Sequence, residues 1–238
     1  MTKANSELEK VVKPQEFKEG DSVRQLQKIE CKHRKEDKIL NQKICLICLA
    51  GEHFNWHLGL IKRLDTVFIP KYRPGKEELD IFNAATDEAK KQFKLDINSL
   101  HGIRHWERVR EIGDYLAEKT GADFRVVTLF AALHDSCREN EGSDMLHGHR
   151  AVEYLSGLNN KGLLLIDDKQ LDQLAYACEH HSKRSAQSDD ITIKTCWDAD
   201  RLDLYRVGEI PDPAFLYTET GKSPEAIDFA LQLYLKSR

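Results

Sequence analysis

The run Val126-Val127-Thr128-Leu129-Phe130-Ala131-Ala132-Leu133 constrains this chain more than any other stretch, because it is apolar nearly all round and ends at once in His134 and Asp135. A segment without a polar face is normally buried. If helical, it delivers an imidazole and a carboxylate to the edge of the core, where a charge needs a partner or a metal. What the rest of the chain can bring to that pair decides its chemistry.

Helical periodicity surrounds the run. Ile81, Phe82, Ala85, Ala89 and Phe93 predict a helix over 77–93 that lies against the C-terminal domain. Ser99 is expected to cap a helix striped by Ile103, Trp106, Val109, Ile112 and Leu116, which stops at Thr120-Gly121, where glycine suits a left-handed C-terminal position. Asp123 is the expected cap of the apolar helix. A polar loop over 138–144 leads to a helix over 145–158, and Asp167 or Asp168 caps the next, with Leu171, Leu174 and Cys178 inward. Residues 191–207 read as a further helix, and Ser223 with Pro224 opens the last. Few stretches alternate with period two, so the chain is predicted to be mostly α.

Several polar residues share the inward stripes. His105 keeps step with Val109, Ile112 and Leu116, and His101 lies one turn earlier on the same side. His181 continues the series Leu171, Leu174 and Cys178. Asp200 sits within Ile193, Trp197, Leu204 and Val207, whereas Asp198 falls elsewhere on the wheel. Four separate helices thus point ligand-type groups inward: His105, His134 with Asp135, His181 and Asp200. His147 joins them from the start of another helix. A single inward histidine is more often a hydrogen-bonded core residue than a ligand. Five or six such groups together are hard to satisfy pairwise without a cation, and imidazole with carboxylate suits Zn, Mn, Fe, Ni or Co rather than Ca.

Three motifs, His105-Trp106-Glu107-Arg108-Val109, Leu133-His134-Asp135 and Ala199-Asp200-Arg201-Leu202-Asp203, resemble in type and order those of the HD-domain superfamily of metal-dependent phosphohydrolases. The resemblance covers about residues 96–238. It implies an all-α HD-domain helical bundle in which His105, His134, Asp135 and Asp200 hold one divalent metal. Asp144-Met145-Leu146-His147-Gly148 and Cys178-Glu179-His180-His181 are similar to segments carrying two more histidines in many members. By that likeness His147 and His181 either bind a second metal or contact the substrate phosphate, and a bridging Asp135 is the structural signature of two metals. Some members orient the attacking water with an acidic residue shortly after the His-Asp pair. Glu139 is the nearest candidate, since position 138, where the family often has Glu, is Arg here. Arg138 and Lys183 are the cations expected at an anionic substrate, while Arg108 and Arg201 divide evenly between that role and structural pairing. Cys137 invites a nucleophile reading but lacks a relay independent of the ligand set.

The first hundred residues lie outside the resemblance. Cys45-x2-Cys48 is a chelating turn of the kind that holds structural zinc, and Cys31 with His33 completes a Cys3His set. His53 and His57 are the alternative second pair, and a reduced cysteine pair is the metal-free reading. The expected organisation is a charged tail or helix over 1–30, a Cys/His module with its connecting helix over 31–95, and the HD domain over 96–238. A formal charge of −4 argues against a general nucleic-acid or membrane-surface binder. No apolar run approaches the roughly 20 residues that span a bilayer, and residues 1–18 lack the apolar stretch of a signal peptide. These readings combine into an expectation: a cytoplasmic, metal-dependent phosphomonoesterase or phosphodiesterase acting on a nucleotide or other small phosphoester through a metal-activated water. A di-iron oxygenase and a non-catalytic nucleotide sensor or binding module are the competing readings. The sequence leaves the substrate and the oligomeric state open.

Overall fold

The computed structural model describes residues 75–237. Among these residues every regular element is helical. In chain order they are α1 (Lys76–Gln92), α2 (Ile103–Thr120), α3 (Phe124–Leu133), α4 (His147–Asn160), α5 (Asp168–His180), α6 (Ile191–Leu202), two 3-10 turns (Asp203–Val207 and Pro213–Phe215), α7 (Glu219–Lys222) and α8 (Pro224–Lys236). The all-α expectation holds. Cys31, His33, Cys45 and Cys48, with the zinc site expected of them, lie outside the described residues.

The apolar run forms α3, and every residue from Val126 to Leu133 is buried. Its length is set by chemistry at both ends. Asp123 accepts from the Arg125 and Val126 amides at the N-terminus, satisfying donors that have no helical partner. At the other end the chain turns away through His134, which still closes a helical bond to the Phe130 carbonyl. Burying each large side chain of this helix contributes about 1.5–3 kcal/mol, so α3 is the axis on which α1, α2, α5 and α6 pack. Helix α1 is tied to this layer by its polar groups too. The Tyr154 hydroxyl of α4 donates to the Glu88 carbonyl, and the Gln92 amide donates to the Ser136 carbonyl.

The other helices end as short-range signals dictate. Gly121 closes α2 with φ 74°. Asp167 and Gln170 form a reciprocal capping box on α5. Asp190 caps α6, and Ser223 with Pro224 starts α8. No described helix is long and apolar enough to cross a membrane.

Three expectations need correction. Ser99 does not cap α2, which begins at Ile103 after Gly102. The Ile103 amide bonds back to the Ile97 carbonyl at 2.8 Å, and a side chain at 102 would collide with that carbonyl. His101 therefore sits in a tight turn before the helix rather than on it. Helix α4 starts at His147, two residues later than the periodicity suggests, with no side-chain cap. The helix expected over 191–207 breaks at Leu202 and tightens into a 3-10 turn closed by Gly208 at φ 75°. That break turns Asp203 and Arg206 inward, toward Asp200 and His105.

Candidate metal centre

Five elements deliver the polar cluster. His105 comes from the first turn of α2, His134 and Asp135 from the end of α3, His147 from the first residue of α4, His181 from just past α5, and Asp200 from α6. All lie in the core, and Asp200, with 13% of its side chain exposed, is the one most open to solvent.

Each imidazole is held by its Nδ1 atom. His134 Nδ1 donates to the Phe130 carbonyl at 3.0 Å and His181 Nδ1 to the Cys178 carbonyl at 2.7 Å. His147 Nδ1 donates to the Asp144 carbonyl. His105 Nδ1 donates to Asp203 Oδ2 at 2.7 Å, and Asp203 is itself gripped by Arg108 through Nε at 2.6 Å and Nη2 at 3.0 Å. A neutral imidazole that donates from Nδ1 presents a lone pair at Nε2. The four Nε2 atoms all point inward, in two pairs. His105 and His134 approach to 3.1 Å, and His147 and His181 to 2.9 Å.

Asp135 lies between the pairs and gives one oxygen to each. Its Oδ2 is 3.4 Å from His105 Nε2 and 3.4 Å from His134 Nε2. Its Oδ1 is 3.3 Å from His147 Nε2 and 3.4 Å from His181 Nε2. Asp200 Oδ1 completes the first side, 3.4 Å from His105 Nε2 and 3.7 Å from His134 Nε2. That oxygen is buried without a hydrogen-bond partner. Lone pairs facing one another at these distances cannot satisfy each other, and an orphaned buried carboxylate oxygen is costly. A cation on each side resolves both problems. Donors that share one ion through bonds of about 2.1 Å lie roughly 3.0–3.4 Å apart, close to the 2.9–3.7 Å found here. The groups His105/His134/Asp200 and His134/Asp135/His181 both have the composition and proximity of metal-binding sets, and their mixture of imidazole and carboxylate fits a divalent transition metal.

The electrostatics express the same demand. Burial and Arg206 press His105 toward its neutral form, yet the surrounding carboxylates of Asp135, Asp200 and Asp203 outweigh them and raise its pKa to about 9. Burial followed by the charge of His181 drives His147 down to about 4. Burial would raise both cluster carboxyls. For Asp135 the histidines, led by His134, reverse it, and for Asp200 the neighbouring His105 and the charge of Arg206 do so, so both stay ionised. The cluster is two carboxylates inside a shell of imidazoles, and it attracts positive charge.

Of the other residues singled out from the sequence, Arg138 belongs here and two do not. Arg138 is buried, with Nη1 3.5 Å from both Asp135 Oδ1 and His147 Nε2. Glu139 turns outward, its carboxylate 2.7 Å from Lys94 and 3.9 Å from Arg150. Lys183 Nζ rests on His180 Nδ1 at 2.9 Å on the exposed side. Arg108 is structural, through Asp203. Arg201 ties loops together by donating to the Lys183 and Phe215 carbonyls while its guanidinium lies over Tyr217. Asp198 is fully buried on the opposite face of α6, where it accepts from the Tyr217 and Thr218 amides and the Thr218 hydroxyl.

Sequence reasoning missed the supporting roles of Asp203 and Arg206. Arg206 Nη2 is 3.6 Å from Asp200 Oδ1, and its Nη1 donates to the Asp203 carbonyl at 3.2 Å. The three-residue step from Asp200 to Asp203 was a usable signal for Asp203. Arg206 had none, because the 3-10 break sets its direction. His101 was noted only for its side of the helix; its Nδ1 lies 2.6 Å from Glu141 Oε2.

No family model matches the chain, and no curated protein matches it. Among solved structures it is similar to a predicted HD superfamily hydrolase from an uncultured Thermotogales bacterium. The two are 28% identical, with 66% of this chain and 84% of that chain covered and a TM-score of 0.46.

Proposed function

We propose that this chain is a metal-dependent phosphohydrolase of the HD type, acting on a nucleotide or another small phosphoester. One observation carries the reading. Four imidazoles, each committed through Nδ1, converge their Nε2 lone pairs on the two oxygens of Asp135. In this reading His105, His134, Asp135 and Asp200 hold one divalent ion, and His147, His181 and Asp135 hold a second. A divalent metal so bound lowers the pKa of a coordinated water and polarises a phosphoryl oxygen.

The chain's own residues supply the rest. Asp203, locked by Arg108, fixes the tautomer and ring plane of His105, and backbone carbonyls do the same for the other three histidines. Asp135 and Asp200 stay ionised without taking up a proton. Arg138 places a permanent positive charge beside Asp135, where an anionic group is favoured. Glu139 has no part in this reading, because its carboxylate is engaged by Lys94 and Arg150 at the surface.

The test is to strip the full-length protein with chelator, reload it with Mn, Co or Ni, and measure phosphate release from a panel of nucleotides, sugar phosphates and phosphodiesters. Metal-dependent release that is lost in His134→Ala supports the proposal. Oxygen consumption by the iron-loaded protein without phosphate release would move it to the oxygenase reading, and tight nucleotide binding without turnover to the sensor reading.

A further inference from the structure

The two halves of the cluster are built from the same donor types but differ in their cationic neighbours. On the first side, Asp200 and Asp135 Oδ2 bring two carboxylates to the pair His105 and His134. On the second side, the pair His147 and His181 has only Asp135 Oδ1. Arg138 stands against that weaker side. Its Nη1 is 3.5 Å from Asp135 Oδ1 and 3.5 Å from His147 Nε2, so it faces the oxygen and the lone pair that an ion there would use.

Two loop carbonyls hold Arg138 in this position. Its Nη2 donates to the Gly142 carbonyl at 2.7 Å and its Nε to the Asn140 carbonyl at 3.3 Å. In this buried setting the charge of the guanidinium is poorly screened. Arg206 is not an equivalent neighbour on the first side. It approaches a carboxylate oxygen of Asp200 rather than an imidazole lone pair, and its Nη1 is occupied by the Asp203 carbonyl.

We infer that Arg138 widens the inequality that the donor sets begin, competing for the His147/His181/Asp135 side so that an ion binds there far more weakly than at His105/His134/Asp135/Asp200. The protein then carries one tightly held ion and one exchangeable ion, and the exchangeable one responds to anything that draws the guanidinium away. An anionic phosphate is the ligand chemistry able to do so, because it can accept the donors that Arg138 now spends on Asp135 and His147. This inference rests on the metal reading proposed above.

The experiment titrates Mn2+ alone into chelator-stripped, full-length protein, by calorimetry with elemental analysis of the dialysed complex. The wild type should show two steps separated by at least about tenfold in Kd, the range over which groups just outside a metal's ligands tune affinity. Arg138→Met removes the charge, and Arg138→Gln removes it while keeping a donor for the loop carbonyls. Tightening of the second step by about tenfold in either variant, with the first step unchanged, is the expected result. A second step that is undetectable in the wild type and appears in either variant supports the inference equally. Equal steps in the wild type overturn it, as does a second step unchanged or weakened in both variants while the first stays intact. Uptake of no ion at either step by the wild type would instead sink the metal reading itself.

Discussion

His147 and His181 stand 34 positions apart in the chain, yet their Nε2 atoms face each other at 2.9 Å in the core. Each donates from Nδ1 to a carbonyl three residues earlier, Asp144 and Cys178 respectively. With both rings neutral and donating from Nδ1, two Nε2 lone pairs face each other and neither supplies the other with a donor. The pair has the geometry a chelate would need, and its counterpart across Asp135 is His105 with His134.

His181→Ala should therefore lower metal content at saturating Mn2+ by one ion per chain and leave the other in place. His134→Ala should remove the tightly held ion. Elemental analysis counts the ions and Mn2+ titration shows which step is lost; loss of both ions in either variant, or loss of the same step in both, would contradict the division into two half-sites.

Asp203 holds His105 at 2.7 Å without reaching the cluster itself. Asp203→Ala frees His105 to change tautomer and leaves Arg108 buried without its carboxylate. Metal affinity at the first step should fall by about 10–100-fold. Stability should fall by about 3–5 kcal/mol, the usual cost of breaking one side of a buried pair. Asp203→Asn, which can still accept from Nδ1, should recover part of the affinity. Chelator competition followed by urea unfolding separates the two effects.

Asp114 provides a pH signature away from the cluster. It is buried, and burial, only partly offset by Arg110, lifts its pKa from the ordinary 3.8 to about 6. The folded pKa lies above the unfolded one, so the folded state holds this proton longer. The group therefore favours folding at low pH, and that contribution is lost as pH rises from about 4 to about 6. A shift of about two units corresponds to roughly 3 kcal/mol. Asp114→Asn should gain stability relative to the wild type across that window. Urea unfolding at about pH 4 and pH 7 tests it, and identical pH slopes for the two proteins would refute it.

Gly221 packs against the Asp198 carboxylate, and an added Cβ would collide with it. Gly221→Ala should push that carboxylate off the Tyr217 and Thr218 amides and destabilise the fold by about 1–3 kcal/mol. A thermal shift of a few degrees, on the order of 2–4 °C per kcal/mol, is the expected readout. An unchanged melting temperature would mean that Asp198 moves freely, contrary to its three hydrogen bonds.

Much of this was legible before any coordinates. Helix α3 and its cap Asp123 follow from an apolar run preceded by a capping residue, because caps and periodicity depend on neighbours within about one turn. The inward placement of His105, His134, His181 and Asp200 follows from the same 3.6-residue period, which assigns a side chain to the face its neighbours bury. Ser99 misled because a short polar residue before a helix is a cap only if the backbone leaves it there. Here the chain turns through Gly102 against Ile97 first.

The sequence by itself determined which residues reach the core and what chemistry they carry. Only the tertiary structure decided which of them meet. Arg108 and Asp203 pair across 95 positions and His105 and Asp203 across 98; such pairings come from how helices cross, not from local pattern. The opposite fates of Arg138 and Glu139 show the same limit in neighbouring residues. One turns in to Asp135 and the other out to Lys94, because the loop after Asp135 has no helical period to say which way either should face. At the head of that loop, Asp135 gives one oxygen to each histidine pair, an arrangement set by four helices arriving around the buried end of α3.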